Sequence, residues 1–291
     1  GVDPMLPSWG TGRWEWRETL PFDRHPQMIN PEQGWIANWN NKPAVGWDNS
    51  QSSAWGPTHR VGLLARRMEA LLAVDNKASL SDVVDVIREA ATADARAEFL
   101  GEALLDFTDD VTGAAAQARQ HVADWIAGGA HRLDRNRNEL QDFGPAVAVF
   151  DRWYDELAHR VFDDELGASY PYLNLAIPIS DDASVNNGSA YYSDFSNFLW
   201  NLFRDDTKAA YARDYCENIG TEEIETCESV AVDALEAAVE DLATEKPGPI
   251  ETWTWPADYI EFSEVGAYGV DPIPWQNRGT YNHAIEVLGG R

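Results

Sequence analysis

From Arg60 to about Glu245 the apolar positions recur every three or four residues; on either side they alternate, or gather around Trp, Pro and Gly. In "RVGLLARRMEALL", Val61, Leu64, Met68, Leu71 and Leu72 share one stripe at the 3.6 period, which predicts a helix. "SLSDVVDVIREAATADARAEFLGEALLDFT" repeats the signal, with Ser79 and Asp82 spaced as a capping box and Val83, Val86, Ile87 and Ala90 as the buried stripe. Further helices are expected at "GAAAQARQHVADWIAG", at "GPAVAVFDRWYDELAHRVF" with Pro145 near its first turn, at "SNFLWNLFRDD" and at "CESVAVDALEAAVEDLATE". A looser stretch, "YPYLNLAIPISDDASVNNGSAYYSDF", interrupts them.

The ends read differently. "GRWEWRETL" puts Trp14 and Trp16 on one face and Glu15 and Arg17 on the other, a strand signal among turn residues. The C-terminal part, from "ETWTWPADYIEF" to "YGVDPIPWQNRGTYNHAIEVLGGR", returns to Trp, Pro and Gly punctuation, with a strand expected over Tyr281 to Leu288. The organisation is therefore α+β: a strand-rich segment over 1–59, a mainly helical subdomain over 60–245, and a return to the core sheet over 246–291. Strands from both ends joining one sheet would tolerate a long helical excursion between them. One stretch is awkward in this scheme: in "GWIANWNN", Trp35, Ile36 and Ala37 read as a strand heading inward, yet they lead to Asn38, Asn40 and Asn41. Buried amides need hydrogen-bond partners.

The 291 residues, 44% hydrophobic, are enough for a substantial core. Thirteen Trp, ten Tyr and ten Phe exclude a disordered chain. The formal charge of -27 comes from 49 acidic against 22 basic residues, and the lysines are only Lys42, Lys77, Lys208 and Lys246. Such a field repels phosphate backbones and anionic lipid, so nucleic acid and anionic membrane are poor partners. It suits a high-salt habitat or loading with cations such as calcium; an ordinary acidic secreted protein from an arginine-rich genome is the alternative. Cys216 and Cys227 flank the acidic stretch "ENIGTEEIET" and either close a small disulfide loop or remain two free thiols. No CxxC or Cys/His zinc spacing occurs, no run is long enough for a membrane span, and no signal-peptide pattern opens the chain. A start at Gly1 without an initiator Met reads as a processed product or a piece of something longer.

Common catalytic signatures are missing: no GxSxG, HExxH or GxxxxGK[ST] occurs, and His25, His59, His121, His131, His159 and His283 are scattered. The pairs Asp109-Asp110, Asp163-Asp164 and Asp181-Asp182 read as solvated surface in so acidic a chain. Tryptophans at period two in "WEW" and "WTW" suit core packing better than sugar stacking.

A longer pattern is more specific. "DPMLPSWGTGRWEWRETLPFDRHPQMINPEQGWIANWNNKP" followed by "WGPTHRV" resembles the second half of the β chain in the penicillin acylase family of N-terminal-nucleophile hydrolases, and "QNRGTYNHAIEV" resembles that family's late strand. "GPAVAVFDRWYDEL" fits the family's helical subdomain in position and type. The resemblance implies part of an αββα sandwich that hydrolyses amides, in which a serine exposed by autocatalytic cleavage attacks the carbonyl with its own α-amino group as base. It also implies roles for residues present here. The second Asn of the NWNN motif, Asn40, falls on an oxyanion donor, and Arg60 in "WGPTHR" on the active-site arginine that organises the surrounding polar groups. Asn38 and Asn41 become supports for Asn40. A structural calcium is implied, with the Pro4 carbonyl as one ligand and a carboxylate near Asn49, where this chain has an amide and Asp48 stands beside it.

The same resemblance implies what lies elsewhere. Gly1 has no side-chain nucleophile; the N-terminal serine, the first oxyanion donors, the acyl-pocket aromatics and further calcium ligands belong upstream, and the family's closing segment follows "HAIEV". The expectation is a fragment or separate chain of a secreted or periplasmic amidohydrolase for a small amide substrate, completed by another acylase chain. Two rivals are a noncatalytic calcium-dependent binding or scaffold protein that keeps the fold, and an acidic, aromatic-rich sugar-binding module.

Overall fold

The computed structural model describes residues 7–15, 18–39, 41–45, 47, 58–167, 169, 194–203, 214–221, 224–260, 269, 271–274 and 284–287; for 58–60, 75, 194–197, 260 and 273–274 it describes the backbone alone. The chain divides into two compact units, Gly1–Lys77 and Ala78–Arg291.

In the first unit, a 3-10 turn at Phe22–Arg24 lies within largely irregular chain, and α1 runs from Thr58 to Asp75. The expected stripe on α1 is half-buried, and the residue fully shielded from solvent is Leu63, one position off that stripe. Trp14 sits in a turn with the Arg13 guanidinium over its ring, rather than on a strand; Trp16 and Arg17 lie outside the described residues.

The second unit is built from helices. The Ser79–Asp82 capping box starts α2 (Leu80–Thr92): the Ser79 hydroxyl accepts from the Asp82 N–H, and the Asp82 carboxylate accepts from the Ser79 N–H. The single long helical signal after Ser79 is then broken at Ala93. Asp94 is the reason, because its carboxylate accepts the N–H groups of Arg96 and Ala97 and caps a second helix, α3 (Ala95–Phe107). Thr112 precedes α4 (Gly113–Ala127), and α5 (Gly144–Leu166) opens with Pro at its first turn, as expected from its missing N–H. Close backbone approach fixes the α5 start: a Cβ on Gly144 would lie 2.9 Å from the Trp253 carbonyl oxygen, so the returning chain can approach only a glycine here.

Helix α5 is the spine. It packs mainly on α7 (Cys227–Glu245) and also on α4, while α3 packs on α4, α6 (Asp194–Phe203) and α7. Its buried side chains include Phe150, Trp153, Leu157 and Val161; the Trp153 indole donates to the Ala231 carbonyl at 3.0 Å, so the ring is buried without an orphan donor. Trp125 of α4 meets Phe150 with ring centroids 5.5 Å apart and donates to the His131 carbonyl. A disulfide joins Cys216 to Cys227 and ties the preceding loop to the first turn of α7.

After a 3-10 turn at Ile250–Thr252, Trp253 is buried and Trp255 is half-buried against the helical core, the period-two use expected for "WTW". Among the described residues the strands are β1 (Tyr259–Ile260) and β2 (Ile273–Pro274), antiparallel with Tyr259 opposite Pro274 and Ile260 opposite Ile273. The strand expected over Tyr281 to Leu288 falls partly outside the described residues; its described part, 284–287, is exposed and carries no strand pairing. No described helix is long and apolar enough to cross a membrane.

Candidate functional site

Between Gly34 and Asn41 the exposure alternates. Trp35, Ala37, Trp39 and Asn41 are half-buried, while Ile36 and Asn38 face outward, Ile36 at 62% exposure. Period two explains why: an extended chain cannot bury both Trp35 and its neighbour on one face. The inward course expected for Ile36 is therefore not observed. Asn41 is used locally. Its Oδ1 accepts the Trp39 N–H at 3.0 Å and its Nδ2 donates to the Lys42 carbonyl at 3.2 Å, so one amide binds backbone on both sides of position 40. The turn before this stretch needs a left-handed residue at Gly34, φ +80°, and Gln33 braces it by donating to the Trp35 carbonyl.

Of the residues singled out from the sequence, Pro4, Asn40, Asp48 and Asn49 lie outside the described residues, and Arg60 is described in backbone only, as the third residue of α1. The donor set named for calcium is a carbonyl, a carboxylate and an amide oxygen, all hard oxygens of the kind calcium takes. Asp214, Cys216 and Cys227 also cluster, but the disulfide consumes both thiolates and leaves no soft metal site.

The second unit holds a charged cluster that the sequence pattern did not reveal. Arg96 and Arg132 have side chains only 4% and 1% exposed; they share Asp94 and Asp151, and Arg132 also binds Asp258. Arg96 binds Asp94 through Nε and Nη2 at 3.1 and 2.6 Å and reaches Asp151 at 2.7 Å. Arg132 is bidentate to Asp151, both bonds 2.9 Å, touches Asp94 at 3.3 Å, and donates to Asp258 through Nε and Nη2 at 3.1 and 2.9 Å. The Trp255 indole and the Gln141 amide close the cluster by donating to Asp151 and Asp258. The planar guanidinium forks suit this sharing, which an ammonium would not reproduce. Burial pushes the Asp94 and Asp151 carboxyls upward, but the adjacent guanidiniums outweigh it and hold both below the ordinary carboxylate range. At Asp258 burial prevails and the carboxyl is raised despite Arg132.

One nearby grouping has the members of a hydrolytic triad but not its polarity. Thr92 Oγ1 lies 2.9 Å from His131 Nδ1, and His131 Nε2 lies 3.5 Å from Glu89. The Thr92 hydroxyl donates its proton to the Arg88 carbonyl at 3.1 Å, so it accepts from the histidine instead of being activated by it. This grouping is a helix-end tie.

The residues missed at the sequence level, Asp94, Arg96, Arg132, Asp151 and Asp258, are spread over more than 160 positions, and each looks like ordinary surface charge in a chain this acidic. Only Asp94 carried a local signal, an N-cap residue directly before a helix-forming run.

The family described as penicillin amidase matches residues 1–287. The penicillin G acylase of Escherichia coli is 26% identical over 299 residues, covering 98% of this chain and 34% of that protein. The solved structure of the thermostable penicillin G acylase from Alcaligenes faecalis superposes with a TM-score of 0.70 at 21% identity, covering 96% of this chain and 50% of that chain. This chain thus spans about a third of the first relative and half of the second.

Proposed function

The chain belongs to the penicillin amidase family, and from that premise we propose that it forms one part of an amidohydrolase that cleaves a linear amide by acyl transfer to an N-terminal serine carried on another segment. Asn40 donates its side-chain N–H to the oxyanion that develops when the serine attacks. Arg60 orders the polar groups around the nucleophile and the donor. A neutral amide is the appropriate donor, because it stabilises developing charge without fixing the substrate as a cation would.

The observation carrying this reading is the family match over residues 1–287, which includes both the "NWNN" and the "WGPTHR" stretches. Two local features support it. The amide of Asn41 is bonded to backbone on either side of Asn40, as a support for a positioned neighbour should be. Arg60 stands in a helix first turn that has no acidic residue, where the helix dipole opposes a cation by about 0.3–1 kcal/mol; helix stability does not account for its presence.

The terminal segments contribute to an αββα sandwich, and the rest of the acylase covers the apolar residues that the first unit exposes, among them Trp9, Phe22 and Ile29 at about 80% exposure. Pro4, Asp48 and Asn49 supply oxygens to a calcium whose chemistry, when bound, is to tie segments together. The Cys216–Cys227 disulfide supports an oxidising location outside the cytoplasm. Reconstitution with the segment that bears the nucleophile, followed by substitution of Asn40, tests the reading.

A further inference from the structure

The cluster around Arg132 holds three carboxylates, Asp94, Asp151 and Asp258, against two guanidiniums, Arg96 and Arg132, so its fully ionised state carries one uncompensated negative charge. The hydrogen bonds show where the imbalance sits. Asp258 Oδ2 accepts two bonds from Arg132 and one from Gln141 Nε2 at 3.1 Å, and among the described residues no donor reaches Asp258 Oδ1. Gln141 is 6% exposed, and its Oε1 is buried without a partner among the described residues. Gln141 Oε1 is thus a buried acceptor lacking a donor, beside an Asp258 side chain that is partly open to solvent. A buried acceptor left unpaired is costly.

A single proton on Asp258 Oδ1 answers both deficits. It brings the cluster to two carboxylates against two guanidiniums, and because Gln141 Nε2 already donates to Asp258 Oδ2, the added O–H can be returned to Gln141 Oε1 in the two-bond pair of a carboxylic acid with a primary amide. The Asp258 side chain is 12% exposed, so the proton can come from solvent.

What this pair holds is the returning chain. Around it, the connection between α4 and α5 is bonded to residues 253–260 at several points: Gln141 N–H donates to the Trp255 carbonyl at 2.9 Å, Ala257 N–H to the Glu139 carbonyl at 2.8 Å, and the Tyr259 hydroxyl to Asp134 at 2.6 Å. Leu140 bridges to Pro256. We propose that Asp258 and Gln141 form a proton-linked latch that fastens residues 253–260 to the α4–α5 connection, closed most tightly when Asp258 is protonated.

The charged groups that face Asp258 are Arg132 from the α4–α5 connection, Asp151 from α5, and Arg96 with Asp94 at the start of α3; on its own segment Tyr259 is engaged with Asp134. Burial, aided by Asp151, raises the Asp258 carboxyl, while Arg132 pulls it back. The sign follows: the stabilisation is fully present below the unfolded-state value and is lost as pH rises through the raised folded value. The latch does not depend on the catalytic reading of Asn40.

Amide hydrogen exchange at Gln141 and Ala257 reads the latch directly, in the full chain and in Asp258→Asn, whose amide imitates the protonated acid. Protection factors in the wild type are expected to fall by about threefold or more between pH 4.5 and 8, within the limit of tenfold per pH unit that one linked proton sets; in Asp258→Asn they stay level. A smaller fall in the wild type, or an equal fall in both proteins, overturns the proposal. Should the variant not fold, the carboxyl carbon shift of Asp258 in the wild type decides: titration above the ordinary value of about 4 supports the latch, and titration at or below it refutes the latch.

Discussion

Arg132 and Asp258 stand 126 positions apart in the chain and are joined by two hydrogen bonds, at 3.1 and 2.9 Å, in a site where the arginine side chain is 1% exposed. The arginine also spans to Asp151 and Asp94, so the connection after α4, the middle of α5, the start of α3 and the returning chain meet at one guanidinium. Replacing Arg132 with Met leaves three buried carboxylates short of a partner. Breaking such a buried pair costs about 3–5 kcal/mol, and urea unfolding should register a loss of that size. Arg132→Lys should recover only a minor part, since a point charge cannot bond Asp151 and Asp258 in parallel.

The same cluster sets an acid limit. Asp94 and Asp151 have folded-state values below their ordinary 3.8, so their contribution is complete above that value and is lost as pH falls through the lowered ones. Asp258, raised, acts in the opposite sense at higher pH. In moderate salt, which screens the general repulsion of a -27 chain, melting temperature should drop steeply below about pH 4. A melting temperature that holds steady from pH 5 to 2.5 would contradict the ionised assignment of Asp94 and Asp151.

Reduction of the Cys216–Cys227 bridge frees a loop closed across 11 positions. Loop-closure entropy for that length is about 2–3 kcal/mol, and Cys216→Ser with Cys227→Ser should destabilise the chain by that amount in denaturant titration. The effect should concentrate at the start of α7, where Cys227 is the first helical residue, and hydrogen exchange there provides the local check.

Removing the Ser79 hydroxyl removes half of a reciprocal cap at the start of α2. Ser79→Ala should cost about 1 kcal/mol by thermal or chemical unfolding, and Ser79→Thr or Ser79→Asp much less.

That cap was legible in the sequence because both partners lie within one turn, and Pro145 at the head of α5 was legible as a local first-turn signal. The break at Asp94 had only the N-cap residue itself as a signal, because "ATADARAEF" is as helix-prone as its surroundings and the residues that hold the break, Arg132 and Asp151, are remote. Leu63 and Ile36 show the limit of periodicity. A stripe ranks positions by angle alone, whereas burial depends on what covers them: Leu63 is fully shielded and Ile36 is 62% exposed. For the residues proposed as catalytic the situation is reversed. Asn40 and Arg60 carry no distinguishing period, charge pairing or cap, and only the longer motif around each assigns them a role.

The central claim is that Asn40 donates to an oxyanion in an active site completed by another segment. Steady-state amide hydrolysis by the reconstituted enzyme, wild type against Asn40→Ala, tests it most directly. The account predicts a fall in kcat of about 10²–10³-fold with KM little changed, since the donor acts on the transition state; a kcat within about twofold of wild type would contradict it.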